Sequence, residues 1–269
     1  MHAQREFAQM ERDHASWWYL ARRALMRDLV EHGLRGKREA RILDLGGTAE
    51  LQFDAPSLLR VVNQHSSLSA MAFQQMHGGQ NLVCSSLEEL AFASNGFDVV
   101  IAGDVLQGVP DDRIVLRELR RVLKDGGLLC LTVPAYSFLW GEDDERRSYY
   151  RRYNASELRR KLTTSGFEVQ RASYFVATAF LPLAMVRMVK NIFRTSITRD
   201  AHYTQRSRAA NAAMVSVLAA ERQLMRVINL PFGTRVVCLA RKPALVAERV
   251  TLPAWERQWA APPLPQGSG

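Results

Sequence analysis

Arg41-Ile42-Leu43-Asp44-Leu45-Gly46-Gly47-Thr48-Ala49-Glu50 is the stretch on which the reading of the whole chain turns. A short apolar run closing on paired glycines predicts a buried strand and a tight turn, where backbone amides can approach a ligand because no Cβ intervenes. A plain turn and a nucleotide-type cradle both satisfy that local pattern. The segments on either side decide between them.

Downstream, short apolar runs alternate with polar helical segments. The runs at 41–46, 58–63, 81–84, 97–103, 127–133, 167–173 and 234–240 predict strands, and 66–77, 86–91, 111–124 and 154–165 predict helices. This order implies an α/β fold, a mostly parallel sheet with helices on both faces. Ligands of such sheets sit outside the carboxyl ends of the strands, where the Gly46-Gly47 turn falls. The connection from Gly46 to Leu58 is short and holds Pro56, so its helix is expected to be clipped or irregular.

Upstream, Trp17, Trp18, Leu20, Ala21, Ala24, Leu25 and Leu29 recur at helical spacing, giving one or two N-terminal helices within residues 1–40. Trp17-Trp18-Tyr19 either line a substrate entrance or anchor the helix by packing. Residues 174–194 and 209–228 predict two further helices, inserted between the last two strands within 174–233. They either cap a pocket or lie on a membrane surface, as basic amphipathic helices do. The α/β core is expected over 41–173 plus 234–242, followed by a Pro-rich tail over 243–269 held only by Trp255 and Trp259.

With 269 residues, 47% of them hydrophobic, the chain can bury a full core. The net charge of +9 is concentrated: residues 187–249 hold twelve Arg and Lys against three acids, a local excess of nine. Such a block attracts anionic lipid headgroups, nucleic acid or an anionic substrate, or is a solvated basic face. Without a nucleic-acid-binding motif, nucleic acid is the least favoured of these. Cys84, Cys130 and Cys238 lie in apolar runs with no C-x-x-C spacing, so buried reduced thiols and no metal site are expected. No signal-peptide core precedes Arg41, and the apolar stretch from Tyr174 to Val186 is too short to span a bilayer and contains Pro182. A cytoplasmic protein, with at most peripheral membrane contact through 174–228, is the expectation.

The run from Pro134 to Tyr153 leaves a strand's carboxyl end carrying aromatics and charges together, which suits a substrate-binding loop. Tyr136, Trp140 and Arg151 are its candidate substrate contacts.

In order and spacing, Ile42-Leu43-Asp44-Leu45-Gly46-Gly47-Thr48, Phe97 to Leu106, Leu116 to Gly127 and Ser165-Gly166-Phe167-Glu168-Val169 resemble the class I S-adenosylmethionine-dependent methyltransferases. The resemblance implies a Rossmann-like seven-stranded sheet whose last strand is antiparallel, and S-adenosylmethionine as cofactor. It also implies that Gly46, Gly47 and Thr48 hold the methionine part, with Asp44 supporting the turn. The ribose position falls on His65, with Asn63 a substitute, and the adenine position on Ser86 beside Leu87. Gly103 and Asp104 close the strand facing the cofactor. No carboxylate stands at residues 63–65, and Ala49 and Glu50 follow the glycine turn where the family has a later glycine.

The sequence therefore predicts methyl transfer to an oxygen or nitrogen of a small or lipid-linked substrate, with Asp143 and Tyr149 as candidate bases. The departures at Glu50, His65 and Ser86 keep a second reading open: a pseudoenzyme that uses the same fold to bind a partner or membrane surface. A nicotinamide-dependent dehydrogenase would need G-x-G-x-x-G, which Gly46 to Leu51 does not supply. Oligomeric state is not encoded in any recognisable motif.

Overall fold

The computed structural model describes residues 10, 11, 14, 16–34, 39–46, 59–193 and 207–244. Gly47 to Leu58, including Thr48, Ala49, Glu50 and Pro56, and the Pro-rich tail with Trp255 and Trp259 lie outside the described residues.

In chain order the elements are α1 (Trp17–Leu34), β1 (Ala40–Leu45), β2 (Leu59–His65), α2 (Leu68–Met76), β3 (Leu82–Cys84) and β4 (Phe97–Gly103). They continue with α3 (Asp112–Val122), β5 (Leu123–Pro134), α4 (Glu142–Arg146), α5 (Ala155–Thr164), β6 (Glu168–Phe175), α6 (Phe180–Phe193), α7 (Arg208–Met225) and β7 (Arg235–Arg241). The described strands form one seven-stranded sheet in the order β3-β2-β1-β4-β5-β7-β6. β7 is antiparallel to β5 and β6, and the other pairs are parallel. This is the predicted architecture, with α6 and α7 inserted before the last strand.

Side chains alternate across a strand, so each apolar run serves two cores. Leu43, Val100 and Ala102 face a layer with Val115, Leu116, Leu119 and Val122 of α3. Their neighbours Ile42, Val99 and Ile101 face the opposite layer, where α1 contributes Trp18, Leu25, Met26 and Leu29 and α7 contributes Leu218 and Met225. Helices on both faces follow directly from that alternation. α3 is capped by Asp111, whose carboxylate accepts from the Arg113 amide at 3.0 Å, and it buries positions 115, 116, 119 and 122 at helical spacing.

Three local expectations are corrected. Residues 86–91 form bends rather than a helix. Their backbone is satisfied from α3 instead: the Leu90 amide donates to Glu118 Oε2 at 2.9 Å, and Arg121 donates to the Leu90 and Phe92 carbonyls at 2.9 and 2.7 Å. The helix expected from residue 174 begins at Phe180. Tyr174 and Phe175 end β6, Val176 takes a left-handed φ of 61°, and the Ala177 and Thr178 amides donate to the Glu221 carboxylate at 2.9 and 3.4 Å. Pro182 sits in the first turn of α6, where a missing N–H costs little. Cys130 and Cys238 are buried, but Cys84 is exposed because it ends β3, the edge strand of the sheet.

Candidate active site

β1 to β6 run the same way, so their carboxyl ends share one edge, and β7 begins there. Backbone strain collects on this edge: Asp104 after β4, Tyr136 after β5 and Val176 after β6 have φ of 55°, 54° and 61°. Such conformations cost about 1–3 kcal/mol each and gather where structure is held in place for function.

One half of the edge carries the predicted cofactor residues. Gly46 turns out of β1 with φ 81°, and its amide donates to the Gln64 carbonyl at 2.8 Å. Asp44 is wholly buried in β1, paired in register with Asn63 and Ile101. Asn63 is committed to scaffold, its amide donating to the Gln80 carbonyl at 3.0 Å. His65 ends β2 at 2% exposure, its Nε2 buried and without a hydrogen-bond partner among the described residues, and burial pushes its pKa below the usual value. Ser86 is exposed and accepts from the Glu88 amide at 3.1 Å, while Leu87 packs on the core. Gly103 is buried at the end of β4, in register with Thr132.

The other half is a trough made of two clefts that share Asp143, Arg152 and Arg235. Its roof is α1, which supplies Trp17, Trp18, Tyr19 and Arg22. The three aromatics are also buried to 7–8%, so they anchor the helix by packing while lining the clefts. Two guanidiniums lie against the Trp18 ring, Arg235 4.7 Å and Arg22 5.7 Å from its centre. Arg22 Nη1 donates to Asp104 Oδ2 at 2.9 Å. Burial pushes the Asp104 carboxyl up, but Arg235, Arg22 and Arg147 outweigh it and hold the pKa below the ordinary range.

Of the predicted loop residues, Asp143 lines both clefts and is ion-paired with Arg146. Tyr149 lines the first, and burial pushes its phenol up, against the lowering effect of Arg147. At neutral pH it is a hydrogen-bond donor rather than a base. Tyr136 stacks on Tyr174 with ring centres 5.1 Å apart, and neither Tyr136 nor Trp140 is among the described residues lining the trough. Arg151 turns to the other side, donating to the Val109 and Pro110 carbonyls and lying 3.5 Å from Asp112. The loop's lining arginines are Arg147 and Arg152 instead.

Sequence reasoning missed Arg22, Asp144, Arg147, Arg152, Arg187 and Arg235. A partial signal existed: Trp18 and Arg22 are four apart on a helix and so share a face.

A family model described as a methyltransferase domain matches residues 43–131. A protein of Encephalitozoon cuniculi bearing the name of a methyltransferase is 28% identical over 187 residues, 61% of this chain and 83% of that protein. The demethylmenaquinone methyltransferase of Staphylococcus aureus is 40% identical over 65 residues, spanning 22% of this chain and only 27% of its own length. Among solved structures, a Haloferax volcanii methyltransferase in complex with its Trm112 activator superimposes with a TM-score of 0.55 at 15% identity, over 90% of this chain and 94% of that one. The methyltransferase-domain match over residues 43–131, together with the shared fold, supports a class I S-adenosylmethionine-dependent methyltransferase, whose cofactor would be S-adenosylmethionine.

The described residues offer that cofactor two features: Gly46 turns out of β1 in the left-handed region, and His65 Nε2 is a buried ring nitrogen with no hydrogen-bond partner among the described residues. His65 also makes stability depend on pH. Its folded pKa is depressed, so the native state binds a proton less readily than the unfolded chain. Its contribution is complete above the ordinary histidine value near 6.5 and declines as pH falls from there toward the folded pKa. Replacing His65 with Gln is expected to flatten urea-derived stability between roughly pH 5 and 7 by up to about 1.4 kcal/mol per pH unit. Identical pH slopes in the two proteins would refute this.

Proposed function

We propose that this enzyme transfers the methyl group of S-adenosylmethionine to an oxygen or nitrogen of a small or lipid-linked acceptor held in the trough beneath α1. One juxtaposition carries the reading: the glycine turn and His65 at the ends of β1 and β2 adjoin, across Asp104, a roofed trough at the ends of β4 and β5. Asp44, Gly46, Gly47, Thr48 and His65 hold the cofactor in this reading, with Ser86, Leu87, Gly103 and Asp104 on its adenine and methyl sides. Bound there, the cofactor supplies an activated methyl group for in-line displacement. The protein's share is then positioning and removal of an acceptor proton. Asp143, the carboxylate present in both clefts, is proposed to take the proton, and Tyr149 to donate a hydrogen bond to the acceptor.

Lipid-linked acceptors are supported by α6. Leu181, Met185 and Met188 are 58–65% exposed, and the sequence around that helix is strongly basic, a combination suited to peripheral contact with an anionic bilayer. No helix among the described residues is long and apolar enough to cross one. The pseudoenzyme reading keeps one supporting observation, the absence of a carboxylate at the end of β2.

Calorimetric titration with S-adenosylhomocysteine tests the proposal. The native protein is expected to bind it, and Gly46→Val, which forces a β-branched residue into φ 81°, to bind about ten- to a hundredfold more weakly. No heat at millimolar ligand would leave only the non-catalytic reading.

A further inference from the structure

Three polar atoms at the carboxyl ends of β2 and β3 are buried without a hydrogen-bond partner among the described residues: Gln64 Oε1, His65 Nε2 and Ser85 Oγ. Gln64 and His65 are adjacent in β2, so their side chains leave opposite faces of the sheet. Gln64 pairs in register with Leu45 and Val83, which puts it on the α3 side, where Leu45, Leu87 and Leu90 pack. Its amide orientation is fixed, because Nε2 donates to the Ser85 carbonyl at 2.6 Å and a carbonyl can only accept. Oε1, an acceptor, is therefore the end left over, in a side chain with 0% exposure. Leaving a buried acceptor without a donor is costly, and this one stands next to the Gly46 turn, whose amide donates to the Gln64 carbonyl at 2.8 Å. Ser86, at the predicted adenine position, has its hydroxyl oxygen engaged by the Glu88 amide at 3.1 Å. The unspent groups lie one residue back and one strand across.

We infer that Gln64 and Ser85 select the base of the cofactor by reading the edge of a 6-aminopurine. Gln64 Oε1 accepts from the exocyclic amine, and Ser85 Oγ donates to the neighbouring ring nitrogen. The inference rests on the S-adenosylmethionine reading for the ligand and adds the residues that tell its base from others. Adenine presents a donor beside an acceptor on that edge, the complement of a fixed amide oxygen beside a hydroxyl. Hypoxanthine carries a carbonyl oxygen where adenine has its amine, and that oxygen would meet Gln64 Oε1 acceptor to acceptor. Neutral groups suit a neutral base, so no carboxylate is required on this side of the sheet. His65, on the opposite face, stays with the ribose.

The test is calorimetry of the full chain with S-adenosylhomocysteine and S-inosylhomocysteine, in which a carbonyl replaces the amine. The native protein is expected to prefer the adenosyl compound by about ten- to a hundredfold, the cost of one mismatched hydrogen bond in a buried site. Gln64→Met is expected to bring the two affinities within about threefold of each other. Ser85→Ala is expected to reduce the preference severalfold, and as a partly exposed position it keeps the test alive should the Gln64 substitution fail to fold. The ligand-free melting temperature of Gln64→Met should stay within about 3 °C of the native value, because the change loses one bond to the Ser85 carbonyl and also removes an unpaired oxygen. A larger drop with the preference intact assigns Gln64 to the scaffold and overturns the inference. So does equal binding of the two ligands by the native protein, or a preference that neither substitution changes. If neither ligand binds at millimolar concentration, the cofactor reading itself falls and base selection falls with it.

Discussion

Asp104→Ala is expected to destabilise the fold by about 3–5 kcal/mol, the usual cost of removing one partner from a buried ion pair. At roughly 2–4 °C per kcal/mol for a chain of this size, the melting temperature should fall by roughly 6–20 °C, readable by calorimetry. Asp104 and Arg22 have side chains only 5% and 12% exposed, so solvent screens the pair little. The carboxylate also accepts from Thr132 Oγ1 at 3.3 Å, and the Asp104 carbonyl accepts from Gln107 Nε2 at 2.6 Å. Its φ of 55° adds a second penalty, because alanine tolerates the left-handed region less well than aspartate does. Asp104→Asn keeps that tolerance and loses only the charge, so it should fall between wild type and Asp104→Ala.

The same pair has a pH signature. The folded pKa of Asp104 is depressed, so its contribution is fully present above the ordinary aspartate value of about 3.9 and is lost as pH falls through it toward the folded value. Asp104→Asn should remove that part of the acid limb. An unchanged melting temperature in Asp104→Ala would mean that α1 is held by apolar packing alone, and that Arg22 does not tie the roof to β4.

The sheet was legible because strands buried on both faces read as continuous apolar runs, and β1, β4 and β5 are of this kind. Segments whose backbone is satisfied by side chains elsewhere were not. Nothing local in residues 86–91 shows that Glu118 and Arg121 bond their amides and carbonyls, and nothing in 174–179 shows that Glu221 does so there.

The site divides the same way. The Gly46 turn and His65 follow from strand ends, which sequence pattern locates well. The trough joins Arg22 to Arg235 from opposite ends of the chain, which no local pattern encodes. The loop adds a parity error. Side chains alternate along an extended segment, so Arg151 and Tyr153 turn together toward Asp112 while Arg152, between them, faces Asp144. Choosing Arg151 as the substrate contact selected the scaffold side, one residue from the trough side.

That parity makes Asp144 the second position of large effect. Its Oδ2 accepts from the Gly141 amide at 2.9 Å and from Arg152 Nη2 at 2.7 Å, and its Oδ1 from Arg152 Nε at 3.0 Å. Arg152 in turn donates to the Ala135 carbonyl at 3.1 Å, so one forked pair ties both ends of the 135–153 loop together. With side chains 2% and 10% exposed, the pair is buried, and Asp144→Ala should cost about 3–5 kcal/mol by leaving a buried guanidinium uncompensated. Arg152→Lys keeps the charge but not the fork, and should recover less than half of that loss. Arg151→Ala is the control: its side chain is 29% exposed and bonds mainly carbonyls, so about 1 kcal/mol is expected. Denaturant unfolding of the three variants ranks them. Equal losses at Arg151 and Asp144 would show that the loop is held as a whole by its scaffold side, and that the Asp144–Arg152 fork sets the shape of the trough without carrying the fold.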